Sequence, residues 1–220
     1  MRFDLVIFDC DGTLMDSLET IWRGVNLAMA AQKFERRFDP KEVAVIVGLS
    51  LERAFAQLLP ESSPEVWHAL TRSYKEQIRR LIQQGLPESP LFPGVRATLT
   101  RLHAAGIVLA VATGKSMAGL QRSLKAHDLD RFFTFFQTAD TAPSKPHPAM
   151  VTQILADSGL SASRTVMVGD TDFDMLMGQK AGVATCAVTF GCHSRERLAI
   201  TNPDFWLDHM ERLPVILGVE

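Results

Sequence analysis

Four short segments that are apolar or nearly so throughout constrain the fold of this chain most strongly. They span residues 5–8, 107–112, 165–168 and 184–188 of the 220-residue sequence. Strands of this kind are buried on both faces of a sheet, and beyond residue 85 stretches with helical periodicity separate them. We also expect a short strand near Phe132–Phe136 and an edge strand at Phe205–Leu207. The alternation predicts an α/β fold in which helices cover both faces of a parallel sheet.

The stretch from Asp16 to Gln84 differs from the rest, because its apolar residues recur at helical spacing only and it contains no candidate strand. Asp16 is the expected N-cap of the first helix there, with Glu19 completing a capping box. Asp39-Pro40 is expected to begin the second helix, since proline suits the first helical turn. An all-α unit is therefore predicted directly after the first strand.

A segment rich in residues that break regular structure follows this helical stretch. Residues 85–90 contain a glycine and two prolines, a composition typical of a linker. We therefore expect two units: an α/β core made of residues 1–15 and 85–220, and an inserted helical segment at residues 16–84.

Composition argues against several classes of partner. The net charge of −2 at pH 7 disfavours a protein that binds nucleic acid by neutralising phosphates. No uninterrupted apolar run is long enough for a membrane-spanning helix. The cysteines, Cys10, Cys186 and Cys192, are odd in number and lack metal-site spacing. We therefore expect a cytoplasmic monomer or homodimer with reduced thiols that binds neither nucleic acid nor membrane.

Carboxylates follow two of the predicted strands. Asp9 and Asp11 come directly after the first strand, and Asp170 follows the strand at 165–168, with Asp174 one helical turn further on. In open α/β sheets, ligands bind at the edge formed by the carboxyl ends of the strands. Anions held this close repel each other unless a cation or a shared proton intervenes. Because hard oxygen ligands suit Mg²⁺, the spacing indicates a magnesium site.

Taken in chain order, the polar motifs resemble the four motifs of the haloacid dehalogenase superfamily. The motifs are Asp9-Cys10-Asp11-Gly12-Thr13, Thr113, Lys145 and Gly169-Asp170-Thr171-Asp172-Phe173-Asp174. The helical segment resembles that superfamily's helical cap, so the likeness covers nearly the whole chain. Asp-Gly-Thr-Leu at 11–14 and Ser-Lys-Pro-His-Pro at 144–148 look most like its phosphoglycolate phosphatase-like branch. The resemblance implies a Rossmann-like core and a Mg²⁺-dependent phosphatase that acts on a small phosphate monoester, phosphoglycolate or a related metabolite.

The resemblance also implies catalytic and metal-binding roles. Asp9 would be the nucleophile that forms an aspartyl-phosphate. Asp11 would protonate the leaving alkoxide and then deprotonate the water that hydrolyses this intermediate. Mg²⁺ would be bound by Asp9, Asp170 and Asp174, together with the backbone carbonyl of Asp11.

The phosphate oxygens would be bound by Thr113, Gly114 and Lys145, and the lysine would also offset the charge of the carboxylates. An isolated threonine more often caps a helix, and an isolated lysine is usually a solvated loop residue. The place of Thr113 at a strand end, and the proline that follows Lys145, favour the functional interpretation.

Substrate selection would fall to the helical segment. The loop containing Leu49 and Ser50 is placed where it could reach the site, and Arg53 lies one helical turn further on. Arg53 could bind a substrate carboxylate, as phosphoglycolate would require, although a solvated helix arginine is an equal alternative. His147 and His193 lie on loops near the expected mouth of the site, where we expect surface or hydrogen-bonded histidines.

Three other functions use similar residues. A dehalogenase would need the first aspartate but neither an acid–base residue at Asp11 nor a metal cluster. A phosphomutase would share the aspartyl-phosphate chemistry, and Thr13 is a weak argument against it. A non-hydrolytic signalling domain that accepts a phosphoryl group also combines clustered aspartates with threonine and lysine, but the helical segment and the chain length disfavour it.

Overall fold

A six-stranded parallel sheet forms the centre of the protein, whose computed structural model describes residues 3–219. The expected ends of the core unit, residues 1 and 220, lie outside the described residues. The strands are β1 (Leu5–Phe8), β2 (Val108–Ala112), β3 (Phe135–Gln137), β4 (Thr165–Gly169), β5 (Ala184–Val188) and β6 (Phe205–Leu207). Their order across the sheet is β3-β2-β1-β4-β5-β6, and each neighbouring pair is parallel. The predicted α/β fold is confirmed, with β6 at one edge.

Ten α-helices lie within the described residues, five of them between β1 and β2. They are α1 (Leu18–Ala31), α2 (Pro40–Ala44), α3 (Leu51–Leu58), α4 (Pro64–Gln83), α5 (Val95–Ala104), α6 (Met117–Ala126), α7 (Ala149–Ser158), α8 (Asp172–Lys180), α9 (Arg195–Ala199) and α10 (Leu213–Ile216). Short 3₁₀ helices cover Asp130–Phe132, Ala162–Arg164 and Met210–Arg212. Within residues 3–219, no helix combines the length and the apolar character that a bilayer crossing requires.

The two faces of the sheet bury separate hydrophobic clusters, as the alternation of side chains along a strand dictates. On β1, Val6 and Phe8 belong to one cluster, whereas Leu5 and Ile7 belong to the other. Helices α5 and α6 cover the first face, and α7 and α8 cover the second. Because β1 is buried on both faces, the carboxyl end of this strand is held rigidly at the centre of the sheet.

The helical segment has a hydrophobic cluster of its own. Val25, Phe55 and Leu70, from α1, α3 and α4, belong to it. The absence of a side chain at Gly24 lets α1 and α4 approach closely, since a Cβ there would lie 2.5 Å from Cε2 of Tyr74. Because the helical segment has this separate hydrophobic cluster, we propose that the chain divides into a core and a helical segment, as the sequence predicts.

The predicted cap of α1 is wrong. Ser17, not Asp16, occupies the N-cap position, and its side chain makes no capping hydrogen bond. The Ser17 hydroxyl does not cap the helix because it points toward the core, where it donates to Oδ1 of Asp11 at 2.5 Å. The start of α2 is as predicted, with Pro40 in the first turn and a complete capping box between Asp39 and Glu42.

Candidate active site

The carboxyl ends of adjacent strands bring the predicted acidic residues together. Asp9 follows β1 and Asp170 follows β4, which is paired with β1 in register. Asp174 lies in the first turn of α8, one helical turn beyond Asp170. One carboxylate oxygen from each of these three residues lies within 4.8 Å of the other two. The structure therefore forms the carboxylate cluster of Asp9, Asp170 and Asp174 at the edge where the strand order predicts it.

Asp9 has the least satisfied side chain of the three. Its carboxylate is fully buried, and no described residue other than Lys145 is placed to donate a hydrogen bond to its oxygens. Its Oδ1 does lie at ion-pair distance, 2.7 Å, from Nζ of Lys145. Burial raises the pKa of Asp9 well above its usual range, the Lys145 charge opposes this, and the charges of Asp174 and Asp170 add to it. A buried carboxylate with free lone pairs is suited to accept a cation or to form a bond to an electrophile.

Lys145 reaches the cluster from the loop before α7. Its ammonium lies 2.6 Å from Oδ1 of Asp174, in addition to its contact with Asp9, and the residue is almost completely buried. Burial disfavours the charge on this lysine, but Asp174 and Asp9 outweigh that effect and raise its pKa above the usual value. Since a buried ammonium is tolerated only when it is paired, Lys145 and the carboxylates hold each other in place.

Hydrogen bonds fix the other two carboxylates. Asp170 accepts from Oγ1 of Thr13 at 2.9 Å and from the backbone N–H of Cys192 at 2.7 Å. Burial and the charge of Asp174 raise the pKa of Asp170 to about 6. Asp174 accepts from Oγ1 of Thr171 at 2.6 Å and from the backbone N–H of Thr171 at 3.1 Å, the latter as part of a capping box that begins α8. The start of a helix therefore also positions a member of the cluster.

Position 12 requires a glycine because of its backbone conformation and because a side chain there would have no space. Its φ is +85°, in the left-handed region where a side chain is strained. A Cβ at Gly12 would also collide with the carboxylate of Asp170. The chain thus reverses tightly after Asp11 and lies directly against the cluster.

Asp11 has different partners from Asp9. Its Oδ1 accepts from the hydroxyl of Ser17 and from Nζ of Lys115, each at 2.5 Å. The position of Lys115, two residues after Thr113 at a strand end, predicts a place near the substrate phosphate, and the structure pairs it with Asp11 instead. Ser17 carries no sequence signal for its role, because its pairing with Asp11 is a tertiary contact.

The phosphate-binding candidates lie at the same edge of the sheet. Thr113 is buried directly after β2, and its hydroxyl accepts a hydrogen bond from the backbone N–H of Lys115 at 3.3 Å. Gly114 lies against the helical segment, where a Cβ would approach the carbonyl oxygen of Gly48 to 2.6 Å and would also meet that of Leu49. The loop of the helical segment is therefore packed onto the strand end that carries Thr113.

Of the predicted specificity residues Leu49, Ser50 and Arg53, only Leu49 lines the cavity beside the site. Leu49 lines a cavity that also contains Asp11. The backbone N–H of Ser50 donates to Oγ of Ser144, at 2.9 Å, which ties the loop to the segment preceding Lys145. Arg53 is exposed and does not line that cavity.

The two histidines differ in burial. His147 is exposed, and its Nδ1 accepts from the backbone N–H of Ala149. His193 is buried, with Nδ1 3.2 Å from the backbone N–H of Asp172 and with Nε2 without a hydrogen-bond partner among residues 3–219.

A metal ion fits the chemistry of the cluster. Three carboxylates converge in a buried space, and Oδ2 of Asp9 has no hydrogen-bond partner among the described residues. Oxygen donors of this kind are the ligands that Mg²⁺ prefers. The three buried carboxylates repel one another, and the single charge of Lys145 compensates this repulsion only in part. A divalent cation would compensate the remainder.

Comparison with known proteins places the chain among hydrolases. The family described as haloacid dehalogenase-like hydrolase matches residues 6–188. "Probable phosphatase IndB" of Dickeya dadantii is 38% identical, covering 93% of this chain and 89% of that protein. "Phosphoglycolate phosphatase" of Vibrio cholerae is 34% identical, covering 95% and 94%. The crystal structure of a predicted phosphoglycolate phosphatase from Haemophilus somnus has a TM-score of 0.87 at 25% identity, covering 98% of each chain.

Proposed function

Because the chain belongs to the haloacid dehalogenase-like hydrolase family and is a phosphatase, we propose that it hydrolyses small-molecule phosphate monoesters with Mg²⁺, through an aspartyl-phosphate. The observation that carries this proposal is the buried Asp9 carboxylate, which lies beside Asp170 and Asp174 and whose only side-chain partner among the described residues is Lys145. Such a carboxylate has lone pairs available for phosphorus.

Asp9 acts as the nucleophile. One of its oxygens forms a bond to phosphorus while the bond from phosphorus to the leaving oxygen breaks, which gives an aspartyl-phosphate and an alcohol. Positioning and charge neutralisation supply most of the catalysis in phosphoryl transfer, and a rigid residue at the end of β1 suits that requirement.

Asp11 moves the proton. It donates a proton to the leaving oxygen in the first step. In the second step it accepts a proton from water, whose oxygen bonds to phosphorus as the bond to Asp9 breaks. Inorganic phosphate leaves and both aspartates are regenerated. The hydroxyl of Ser17 and the ammonium of Lys115 hold the Asp11 carboxylate in one orientation.

Asp9, Asp170 and Asp174 would hold the Mg²⁺ ion, together with the backbone carbonyl of Asp11. The ion would supply positive charge that lets an anionic nucleophile approach an anionic phosphate. Thr113, Gly114 and Lys145 bind the phosphate oxygens, and the Lys145 ammonium keeps Asp9 and Asp174 from repelling each other.

Phosphate release from p-nitrophenyl phosphate tests the proposal. We expect turnover with Mg²⁺, none with EDTA, and a loss of at least about 10³-fold in the Asp9→Asn variant, which keeps the shape of the side chain but not its nucleophilicity. The exposed Asp157 serves as a matched control, so Asp157→Asn retains wild-type turnover. Wild-type turnover in Asp9→Asn, or turnover that survives EDTA, contradicts the proposal.

The same assay separates the alternatives that share the chemistry. A phosphomutase returns the phosphoryl group to a second hydroxyl of its substrate, and a signalling domain keeps it on Asp9, so neither releases phosphate continuously. We further propose that the protein acts in the cytoplasm, because none of the three cysteines, Cys10, Cys186 and Cys192, is in a disulfide.

A further inference from the structure

A cavity of about 600 Å³ lies between the helical segment and the core. Its lining comes from α1, α3, α4 and residues 46–49 on one side, and from residues 114–119 on the other. This size falls within the roughly 300–1,000 Å³ typical of small-molecule sites. A two-carbon acid fills only a small part of a space of this size.

The cavity is continuous with the reaction site, because Asp11 and Lys115 belong to its lining. The lining residues that are exposed to solvent are Lys75, Arg79, Ala118, Arg122 and Asp140. The opening to solvent therefore lies among charged side chains. A substrate whose leaving oxygen is at Asp11 must place the rest of its structure in this space.

Apolar side chains make most of the wall of the cavity. Ile21 and Val25 come from α1, Phe55 and Leu58 from α3, and Ile78 from α4. Contact with this wall removes apolar groups of a ligand from water, which is favourable in proportion to the area removed.

The hydroxyl groups in the lining are largely engaged. Ser17 donates to Asp11, and Thr20 is hydrogen-bonded to Ser89 at 3.1 Å. The hydroxyl of Tyr74 makes no hydrogen bond within residues 3–219, and burial raises its pKa to about 12, so it remains a neutral donor. A sugar in this cavity would have several hydroxyls withdrawn from water with few partners, which is costly.

The cations in the lining are also engaged, which disfavours an acidic leaving group. Lys115 pairs with Asp11, Arg122 with Glu88, and Arg79 with Glu76. Lys75 is exposed, where solvent and salt screen its charge. A carboxylate on the substrate therefore finds no buried, unpaired cation among the described lining residues.

Building on the proposed phosphatase function, we propose that this cavity selects phosphate monoesters of bulky, largely apolar alcohols over short acidic esters such as phosphoglycolate. The phosphate lies at the carboxylate cluster and the leaving oxygen at Asp11. The alkyl or aryl group then extends past Lys115 and Tyr74 to the wall formed by α1, α3 and α4.

A series of n-alkyl phosphates tests this inference, because the acidity of the leaving alcohol hardly changes along the series while its apolar area grows. We expect kcat/KM to rise about fourfold with each added methylene from ethyl to hexyl phosphate, the factor that burial of a methylene group predicts. Hexyl phosphate should also exceed phosphoglycolate. A flat or falling series, or a preference for phosphoglycolate, overturns the inference while leaving the phosphatase proposal intact.

A binding measurement keeps the two proposals separable. Hexylphosphonate and ethylphosphonate, which cannot be hydrolysed at a phosphorus–oxygen ester bond, are titrated calorimetrically into the wild-type protein. Tighter binding of hexylphosphonate supports the apolar cavity even if no ester is hydrolysed, in which case the proposed function alone fails. Equal or weaker binding of hexylphosphonate counts against the cavity whatever the activity.

Two matched substitutions on α4 test whether the apolar wall of the cavity causes the dependence on chain length. Ile78 lines the cavity, whereas Val66 packs against the hydrophobic cluster of the helical segment without lining it. Ile78→Thr should lower kcat/KM on hexyl phosphate several-fold more than on ethyl phosphate, and Val66→Thr should keep the wild-type dependence on chain length. If both variants change that dependence equally, the selectivity does not come from this wall.

Discussion

The carboxylate cluster and the apolar cavity adjoin each other, yet they are built in opposite ways. In the cluster, the charged atoms of Asp170, Asp174 and Lys145 all have partners, and Asp9 alone has a carboxylate oxygen, Oδ2, without a partner among the described residues. In the cavity, apolar side chains face open space and the polar groups pair mostly with one another. The two regions therefore control different properties of the enzyme. The cluster determines the reaction, whatever the alcohol, and the cavity determines which alcohol is accepted.

Among substitutions of residues that support the reaction or the substrate, removal of Lys145 should have the largest effect, and it should act on every substrate alike. In Lys145→Met, Asp9 and Asp174 lose their common counter-charge inside the protein. We expect the free energy of unfolding to fall by about 3–5 kcal/mol in EDTA, and turnover to fall by at least about 10²-fold on short and long esters. Urea unfolding and steady-state kinetics measure the two effects.

Lys180 provides the control for this substitution, because it is exposed in the last turn of α8. Lys180→Met should change stability by no more than about 0.5 kcal/mol. A Lys145→Met protein that is as stable and as active as the wild type would show that the lysine does not hold the cluster together.

Loss of the Ser17 hydroxyl should have an intermediate effect, since this residue lies where the cluster and the cavity meet. In Ser17→Ala, Asp11 keeps Lys115 but loses the hydroxyl donor. We expect kcat to fall about tenfold on all esters, as the loss of one hydrogen bond to a charged group predicts, with little change in KM.

Ser63, the exposed N-cap residue of α4, offers a matched control because its side chain also makes no capping hydrogen bond. Ser63→Ala should leave kcat unchanged. A Ser17→Ala effect confined to KM would argue that Ser17 contacts substrate rather than orienting Asp11.

Substitution of Arg53 should have the smallest effect, because this side chain belongs to neither region. It is exposed and does not line the cavity. We compare kcat/KM for phosphoglycolate with kcat/KM for ethyl phosphate. Arg53→Ala should change the ratio of these two values by no more than about a factor of two relative to the wild type, which corresponds to about 0.4 kcal/mol in transition-state binding. A selective loss on phosphoglycolate would instead restore the prediction that Arg53 binds a substrate carboxylate.

The cluster could be predicted from the sequence and the cavity could not, for physical reasons. The pattern of apolar segments shows where the buried strands β1 and β4 end. The positions of Asp9 and Asp170 directly after these strands can therefore be predicted from the sequence. Ser17 and Lys115 act on Asp11 through contacts that arise only when α1 and the end of β2 come together. The shape of the cavity depends on how closely α1 and α4 approach, which the periodicity of each helix alone does not determine.

The covalent role of Asp9 is tested by identifying the residue that carries the phosphoryl group during turnover. The Asp11→Asn variant, which lacks the group that activates water, is mixed with p-nitrophenyl phosphate and Mg²⁺, quenched in acid and digested for mass spectrometry. The peptide containing Asp9 should gain the mass of one phosphoryl group, located on that residue. Burst release of p-nitrophenol with no phosphoryl group on Asp9, or with the group on another residue, would contradict the account.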